Sequence, residues 1–364
     1  MKINVITTGR FHLLDLAREL STHGHDVKFY SYVSRKRCVS FGMKSGDVCS
    51  YLWFAAPFLF LCKLFPKSES LQKLKIFAID YFMGHYMRDA DVCIGLGSIF
   101  NYTLRCAKKR GQTYILEWGS MHILDQLRIF NVQHPQWTID RELWEYEHAD
   151  YISIAANHVK DTFVSHDISE SKLFVNPYGV NLSDFYPTVY TGEYDIIAVG
   201  GWRYEKGSDL IVEMLRDHPE LRFLHVGALA GMEFPDLPNM THVDPVDQRE
   251  LVKYYAKAKV FILPSRGEGL ALVQAQALAC GLPVVCSRFT GGSTLQGFLN
   301  EKKWIVELDS LSSSALYSCI MLALQSPLNL ETPRNFLSDS IERFSWKSYG
   351  NRYNAFLLRH FNSF

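Results

Sequence analysis

YYAKAKVFILPSRGEGLALVQAQALACGLPVV, from Tyr254 to Val285, decides the fold. The apolar run Val260 to Leu263 reads as a strand that stops at Pro264 and Ser265. An RGEG turn follows, then a helical pattern from about Leu270 to Cys280 that Gly281 and Pro283 end. PVVCS, from Pro283, is the next strand. Strand, tight turn, helix and strand make a parallel crossover, and sheets built from such units carry helices on both faces. Gly267 and Gly269 bracket Glu268, so the N–H groups of Gly269, Leu270 and Ala271 are expected to lie unpaired at a helix start, an arrangement that binds a diphosphate. The plain alternative is a β-α turn whose glycines only close the loop.

The same alternation extends both ways. DIIAVGG from Asp195, LRFLHVG from Leu221, MTHV from Met240 and WIVEL from Trp304 are further strand patterns in the second half. In the first half the candidates are Ile3 to Thr7, Val27 to Tyr32, Val92 to Leu96, Thr113 to Leu116, Tyr151 to Ile154 and Leu173 to Val175. FHLLDLARELSTHG joins the first two, with Leu13, Leu16, Ala17 and Leu20 at helical spacing. NPYGVNLSDFYPTVYTGEY, from Asn176, breaks both periodicities with Pro177, Gly179, Pro187 and Gly192. The expectation is two doubly wound α/β domains, residues 1–180 and 181–340, with an amphipathic closing segment over 341–364. In such sheets ligands bind beyond the carboxyl ends of the strands, so a central cleft between the domains is the expected site.

The 364 residues suffice for two cores. Lys and Arg number 38 and Asp and Glu 38, which removes the cationic field that nucleic-acid binding needs. Eight cysteines form no C-x-x-C and no zinc-ligand spacing, and read as reduced thiols of a cytoplasmic protein. MKINVITTG reads as a first strand rather than a leader. YLWFAAPFLFLC, Tyr51 to Cys62, is too short to span a bilayer. Lys63, Lys67, Lys73 and Lys75 then alternate with Phe65, Leu71, Leu74, Ile76, Phe77, Tyr81 and Phe82. Residues 51–83 are therefore either a core helix with a solvated lysine face or a peripheral membrane contact.

The segment around Glu268 resembles the donor-binding signature of glycosyltransferase family 4, retaining enzymes of the B-type (GT-B) fold with two Rossmann-like domains. The resemblance implies that Glu268 binds the sugar hydroxyls. Gln276 stands where the second glutamate of E-x(7)-E would meet the ribose, so an amide replaces a carboxylate. VGGWRYEKGSDLIVEML, from Val199, matches the family's glycine turn and K-G pair. There Lys206 holds the diphosphate, Gly201 occupies the usual arginine position, and Arg203 is the second cation. NPYGVNLSDF resembles the interdomain motif, FTGGSTL with Gly291 a loop facing the donor, and FSWKSYGNRY a closing helix that packs back on the first domain. EWGSMHILDQLRI resembles the acceptor-side loop, with His122 as its polar contact, and TTGRFH places Gly9 and Arg10 at the first β-α turn, near donor phosphate or acceptor.

The implied activity is transfer of a hexose from a nucleotide-diphosphate sugar to a hydroxyl of a glycan or lipid-linked acceptor, as in surface polysaccharide biosynthesis. It needs no metal or other cofactor, and the protein would be cytoplasmic, peripheral on the inner face of the membrane. The rivals are a nucleotide-sugar epimerase on the same fold and a non-catalytic nucleotide-sugar-binding or scaffold subunit. Two further motifs are set aside. Asp89-Ala90-Asp91 is a D-x-D that enters a strand instead of leaving one. GLGSIF, from Gly95, starts like a dinucleotide fingerprint, with Glu117 as its ribose acid, but has Phe100 where the third glycine belongs.

Overall fold

A computed structural model describes residues 1–299, 304–325 and 340–361. In the first domain β1 (Lys2–Ile6), α1 (Phe11–Thr22) and β2 (Asp26–Ser31) form the opening crossover. They are followed by α2 (Arg35–Ser40), β3 (Val48–Ser50), α3 (Leu52–Leu64) and α4 (Glu69–Tyr86). The chain continues through β4 (Val92–Leu96), α5 (Asn101–Lys109), β5 (Thr113–Glu117), α6 (Ile123–Phe130) and α7 (Gln136–His148) to β6 (Tyr151–Ile154), α8 (Asn157–Val164) and β7 (Leu173–Val175). The second domain runs β8 (Tyr194–Val199), α9 (Ser208–Asp217), β9 (Phe223–Val226), β10 (Met240–Val243), α10 (Leu251–Tyr255) and β11 (Ala258–Leu263). It ends with α11 (Leu272–Ala279), β12 (Val284–Ser287), α12 (Gly292–Gln296), β13 (Ile305–Leu308) and α13 (Ser313–Leu324), after which α14 (Trp346–Phe361) closes the chain.

The sheets are ordered β3-β2-β1-β4-β5-β6-β7 and β10-β9-β8-β11-β12-β13, and every neighbouring pair is parallel. Each is doubly wound, with its direction of winding reversed between β1 and β4 in the first and between β8 and β11 in the second. Crevices for ligands open at those two points. Central strands such as IIAV in β8 and FIL in β11 are buried on both faces, which is why they read as unbroken apolar runs.

Two elements were not foreseen: the edge strand β3, three residues long, and the short helix α2 before it. For residues 51–83 the core-helix alternative holds only in part: Tyr51, Ala55, Ile79, Phe82 and Met83 join the buried core. Helices α3 and α4 form a hairpin in which α3 buries only Ala55 and Cys62, whereas Trp53 is 69% and Phe60 62% exposed. Among the described residues no helix is long and apolar enough to cross a membrane.

Helix α14 returns to the first domain and packs on α1, where a Cβ at Gly350 would overlap the side chain of Glu19. The interdomain segment lies beside it. Val180 N–H donates to the Phe344 carbonyl at 2.7 Å, and the Arg352 guanidinium donates to Asn176 Oδ1 and to the Pro177 carbonyl. Residues 362–364 of the expected closing segment lie outside the described ones. Replacing Gly350 by valine forces α1 and α14 apart, and urea denaturation should show a loss of about 1–3 kcal/mol, the usual cost of overpacking.

Candidate active site between the two domains

The second domain's half of the site is made by the turns that leave β8 and β11. After β8, Gly200 and Gly201 lead to Trp202, whose N–H donates to the Ala228 carbonyl and whose ring is buried. A single 3-10 turn, Tyr204–Lys206, follows and ends at Gly207, with φ of 74°. A side chain at 207 would overlap the Pro264 carbonyl, so glycine is what lets the lysine turn lie against the end of β11. There Lys206 Nζ pairs with Glu268 Oε1, and the Ser265 hydroxyl donates to the same oxygen at 2.9 Å. Both charged groups are partly buried, so each depends on the other in the ligand-free protein.

The first domain meets this surface almost backbone to backbone. A Cβ at Gly269 would overlap the Gly119 carbonyl, and one at Gly267 would lie 2.9 Å from the Phe130 ring. His158 Nε2 donates to the Glu268 carbonyl at 2.9 Å, and Asn157 N–H to Thr294 Oγ1. Between the domains remains a cavity of about 370 Å3, lined by Gly119, Ser120, Phe130 and Val132 on one side and by Arg203, Glu205, Lys206 and Gly267 to Gly269 on the other. That volume suits a small-molecule ligand.

Of the residues singled out in the sequence, Arg203, Lys206, Glu268 and Gly269 line this cavity, and Gly201 packs under Arg203, where a Cβ would stand 3.1 Å from its Nε. Leu270 and Ala271 are buried behind them, and α11 begins two residues later than expected, at Leu272. The loop FTGG accounts for the shift: its Phe289 and Thr290 carbonyls accept from the N–H groups of Glu268 and Ala271. Ala271 therefore does not present a free donor. Gly291 sits in the same loop beside Leu270 and within van der Waals reach of Ala156 in the first domain.

Other expected residues lie elsewhere. Gln276 is 5% exposed, and its carbonyl accepts from the Tyr255 hydroxyl inside the second domain at 3.2 Å. The Arg10 guanidinium lies on the Phe41 ring, 3.9 Å from its centre. Gly9 precedes Phe11, which holds a φ of 41° and whose ring fills the space a Cβ at 9 would need. His122 is 2% exposed, accepts from Leu124 N–H at the start of α6, and stacks on His166. Burial, with His166 beside it, pushes His122 down to about 4 and keeps it neutral. With Asp125 and His166 it forms a triad whose ligand atoms lie within 4.8 Å, although positions 122, 125 and 166 gave no metal spacing in the sequence. Asp125 is already engaged by Arg128 and by His166, at 3.0 Å, so a cation would have to displace both.

His158 and Ser120 were not singled out in the sequence, because nothing in a serine or a single histidine shows that another domain will face it, and Ser265 stood out only as the end of a strand. GLGSIF owes its glycines to aromatic rings: a Cβ at Gly95 would overlap Tyr114, and one at Gly97 would overlap Trp118. Glu117 faces no ribose but accepts or shares a proton with His12 Nε2 at 2.8 Å, in a buried pair. Asp91 accepts from Lys2 N–H and Asp89 pairs with Arg110, both at the amino end of β4.

The overall architecture is that of the GT-B class. Over its whole length the chain superposes on a sucrose-phosphate synthase from Thermosynechococcus elongatus, with a TM-score of 0.70 and 16% identity and with 100% of both chains covered. It also superposes on Anabaena HepE solved with UDP and glucose, with a TM-score of 0.65 and 12% identity over 98% and 99% of the two chains. By sequence, residues 193–322 match the family described as Glycosyl transferases group 1, so the second domain is a group 1 glycosyltransferase domain. D-inositol 3-phosphate glycosyltransferase from Arthrobacter sp. is 31% identical over 143 residues, 32% of this chain and 34% of that protein. A sulfoquinovosyl transferase from Arabidopsis thaliana is 28% identical over 175 residues, 43% of this chain and 34% of its own length. The matches thus span about a third of the length of these curated relatives.

A buried acid lies beyond the carboxyl end of β4 in the first domain. Ser98, just beyond β4, holds a φ of 73°, and its N–H donates to Glu145 Oε2 and its hydroxyl to Glu142 Oε1, both at 2.6 Å. Burial, helped by Asp80 and Glu142 and opposed by the Ser98 N–H and Arg141, pushes Glu145 up to about 8. Its folded value lies above the unfolded 4.5, so its contribution is complete below 4.5 and is lost as the pH rises through 8. Glu145→Gln removes that loss: the variant should gain stability relative to the native protein between pH 5 and pH 8 in urea titrations. A constant difference across that range would contradict the neutral acid.

Proposed function

We propose that the protein is a retaining glycosyltransferase that moves a hexose from a nucleotide-diphosphate sugar to a hydroxyl of a glycan or lipid-linked saccharide. The observation that carries this is the Lys206–Glu268 pair, set between the carboxyl ends of two doubly wound sheets and against the glycine turn of the opposite domain. The family match over the donor-binding half, and the solution of a GT-B neighbour with UDP and glucose, support it. In this reading the diphosphate occupies the side of the cavity formed by Arg203 and Lys206 and competes with Glu268 for the lysine. Glu268, released, accepts hydrogen bonds from the hexose hydroxyls. As the bond between sugar and diphosphate breaks, negative charge grows on the leaving diphosphate, and the two fixed cations stabilise it where a metal would otherwise be needed. Retention is the stereochemistry that the family resemblance implies.

The acceptor lies on the first domain, at Gly119 and Ser120, and the α3–α4 hairpin supports an acceptor presented at a membrane. Besides Trp53 and Phe60 it exposes Leu64, Phe65, Leu74 and Tyr81 next to Lys63, Lys67 and Lys75. Such a surface suits peripheral attachment to the cytoplasmic face.

With a nucleotide sugar and acceptor in hand, Lys206→Ala should lower kcat by about 10²–10³, the usual loss for one group that stabilises developing charge. Unchanged turnover would overturn the diphosphate assignment. Release of nucleotide that depends on acceptor separates a transferase from an epimerase or a silent binding subunit. Independently, the native protein should sediment with anionic liposomes, and Phe60→Asp with Leu64→Asp should abolish this. Native protein left in the supernatant would remove the membrane from the reading.

A further inference from the structure

Directly behind the donor turn two histidines face one another across neighbouring strands. His225 on β9 and His242 on β10 are register partners, and their Nδ1 atoms lie 2.9 Å apart. His225 Nε2 is 2.9 Å from the carbonyl oxygen of Gly200, the first residue of the turn that leads to Arg203 and Lys206. Gly227 lies so close on the same oxygen that a Cβ there would overlap it. His225 also packs on Trp202, and with Gly200, Gly201, Lys206 and Ser208 it lines a cavity of about 20 Å3, room for a single water. His242 Nε2 is 3.4 Å from the carboxylate of Asp244, which is almost fully exposed.

Hydrogen-bond chemistry leaves one arrangement. A carbonyl can only accept, so His225 Nε2 carries the proton and, in the neutral ring, Nδ1 is an acceptor. His242 must therefore donate from its own Nδ1. A second proton on His225 would set two N–H groups against each other, and burial, together with His242 beside it, indeed pushes His225 down to about 4, against the pull of the Gly200 carbonyl.

We propose that His225 is a positioning residue for the diphosphate-binding turn: the Gly200 carbonyl fixes it as the Nε2–H tautomer, and His242 donates to its Nδ1 from behind. This deepens the donor-site reading and rests on it for its effect on binding, though not for its geometry. Two measurements test it. Nitrogen-15 spectra of the ligand-free protein should show His225 as the Nε2–H tautomer, and His242→Phe should leave that tautomer in place, because the Gly200 carbonyl can only accept. In calorimetry with UDP and GDP as probes, His225→Phe should weaken nucleoside diphosphate binding roughly three- to tenfold, the worth of one buried hydrogen bond. His225→Gln, whose amide can donate to Gly200 and accept from His242, should restore it to within about threefold. A general packing role would not distinguish glutamine from phenylalanine in that direction. An Nδ1–H tautomer for His225 in the native protein, or native affinity in His225→Phe, overturns the proposal. If the native protein binds neither nucleotide the donor reading fails, while the tautomer still decides the geometry.

Discussion

At the mouth of the cleft the two domains approach with no side chain between them: the α-carbon of Gly269 lies against the carbonyl of Gly119. Everything the site can do follows from that proximity. It sets Ser120 opposite Glu268, lets His158 donate to the Glu268 carbonyl, and leaves a cavity walled by both domains rather than a groove in one. Methyl groups at positions 267 and 269 would hold the domains apart by about the width of a side chain. The local chemistry of Lys206 and Glu268 could survive that change, but the first domain would no longer reach it.

The charges of Lys206 and Glu268 in the cleft are paired within the second domain. A partly buried lysine without a partner is costly, and Glu268 supplies one. In the proposed reading a ligand bearing two or more negative charges takes over that role, since Arg203 stands exposed on the same wall and adds its own charge. Arg266, by contrast, is spent on structure: both of its terminal nitrogens hold Asp209 and its plane lies on Tyr204, so it braces the lysine turn from behind.

Much of this was legible in the sequence, for identifiable reasons. Buried parallel strands are continuous apolar runs, and the strands on either side of the interdomain segment stood out on that basis. β3 did not, because three residues at a sheet edge carry no periodicity. The exposed hairpin was ambiguous, since a helix covered by protein and one covered by lipid have the same composition. Glycines were the hardest to interpret. Those at 267 and 269 permit contact between domains, whereas those at 95 and 97 make way for Tyr114 and Trp118, and both patterns look like phosphate loops on paper. Gln276 carried a family position, yet its carbonyl partner, Tyr255, lies 21 residues away on another helix.

The chain crosses between the domains twice, outward after Val175 and back before α14, and the two crossings lie side by side, bonded through Val180 and Phe344. Such a doubled spine resists bending but allows torsion about its length, like the stitched edge of a ledger. Tyr178, on the outward crossing, puts its hydroxyl beside Gly119, so the spine borders the cavity and a slight twist there is felt directly at its wall. In the proposed reading, the pace at which spent nucleotide escapes would then be governed by the suppleness of residues 176–180 and 340–345.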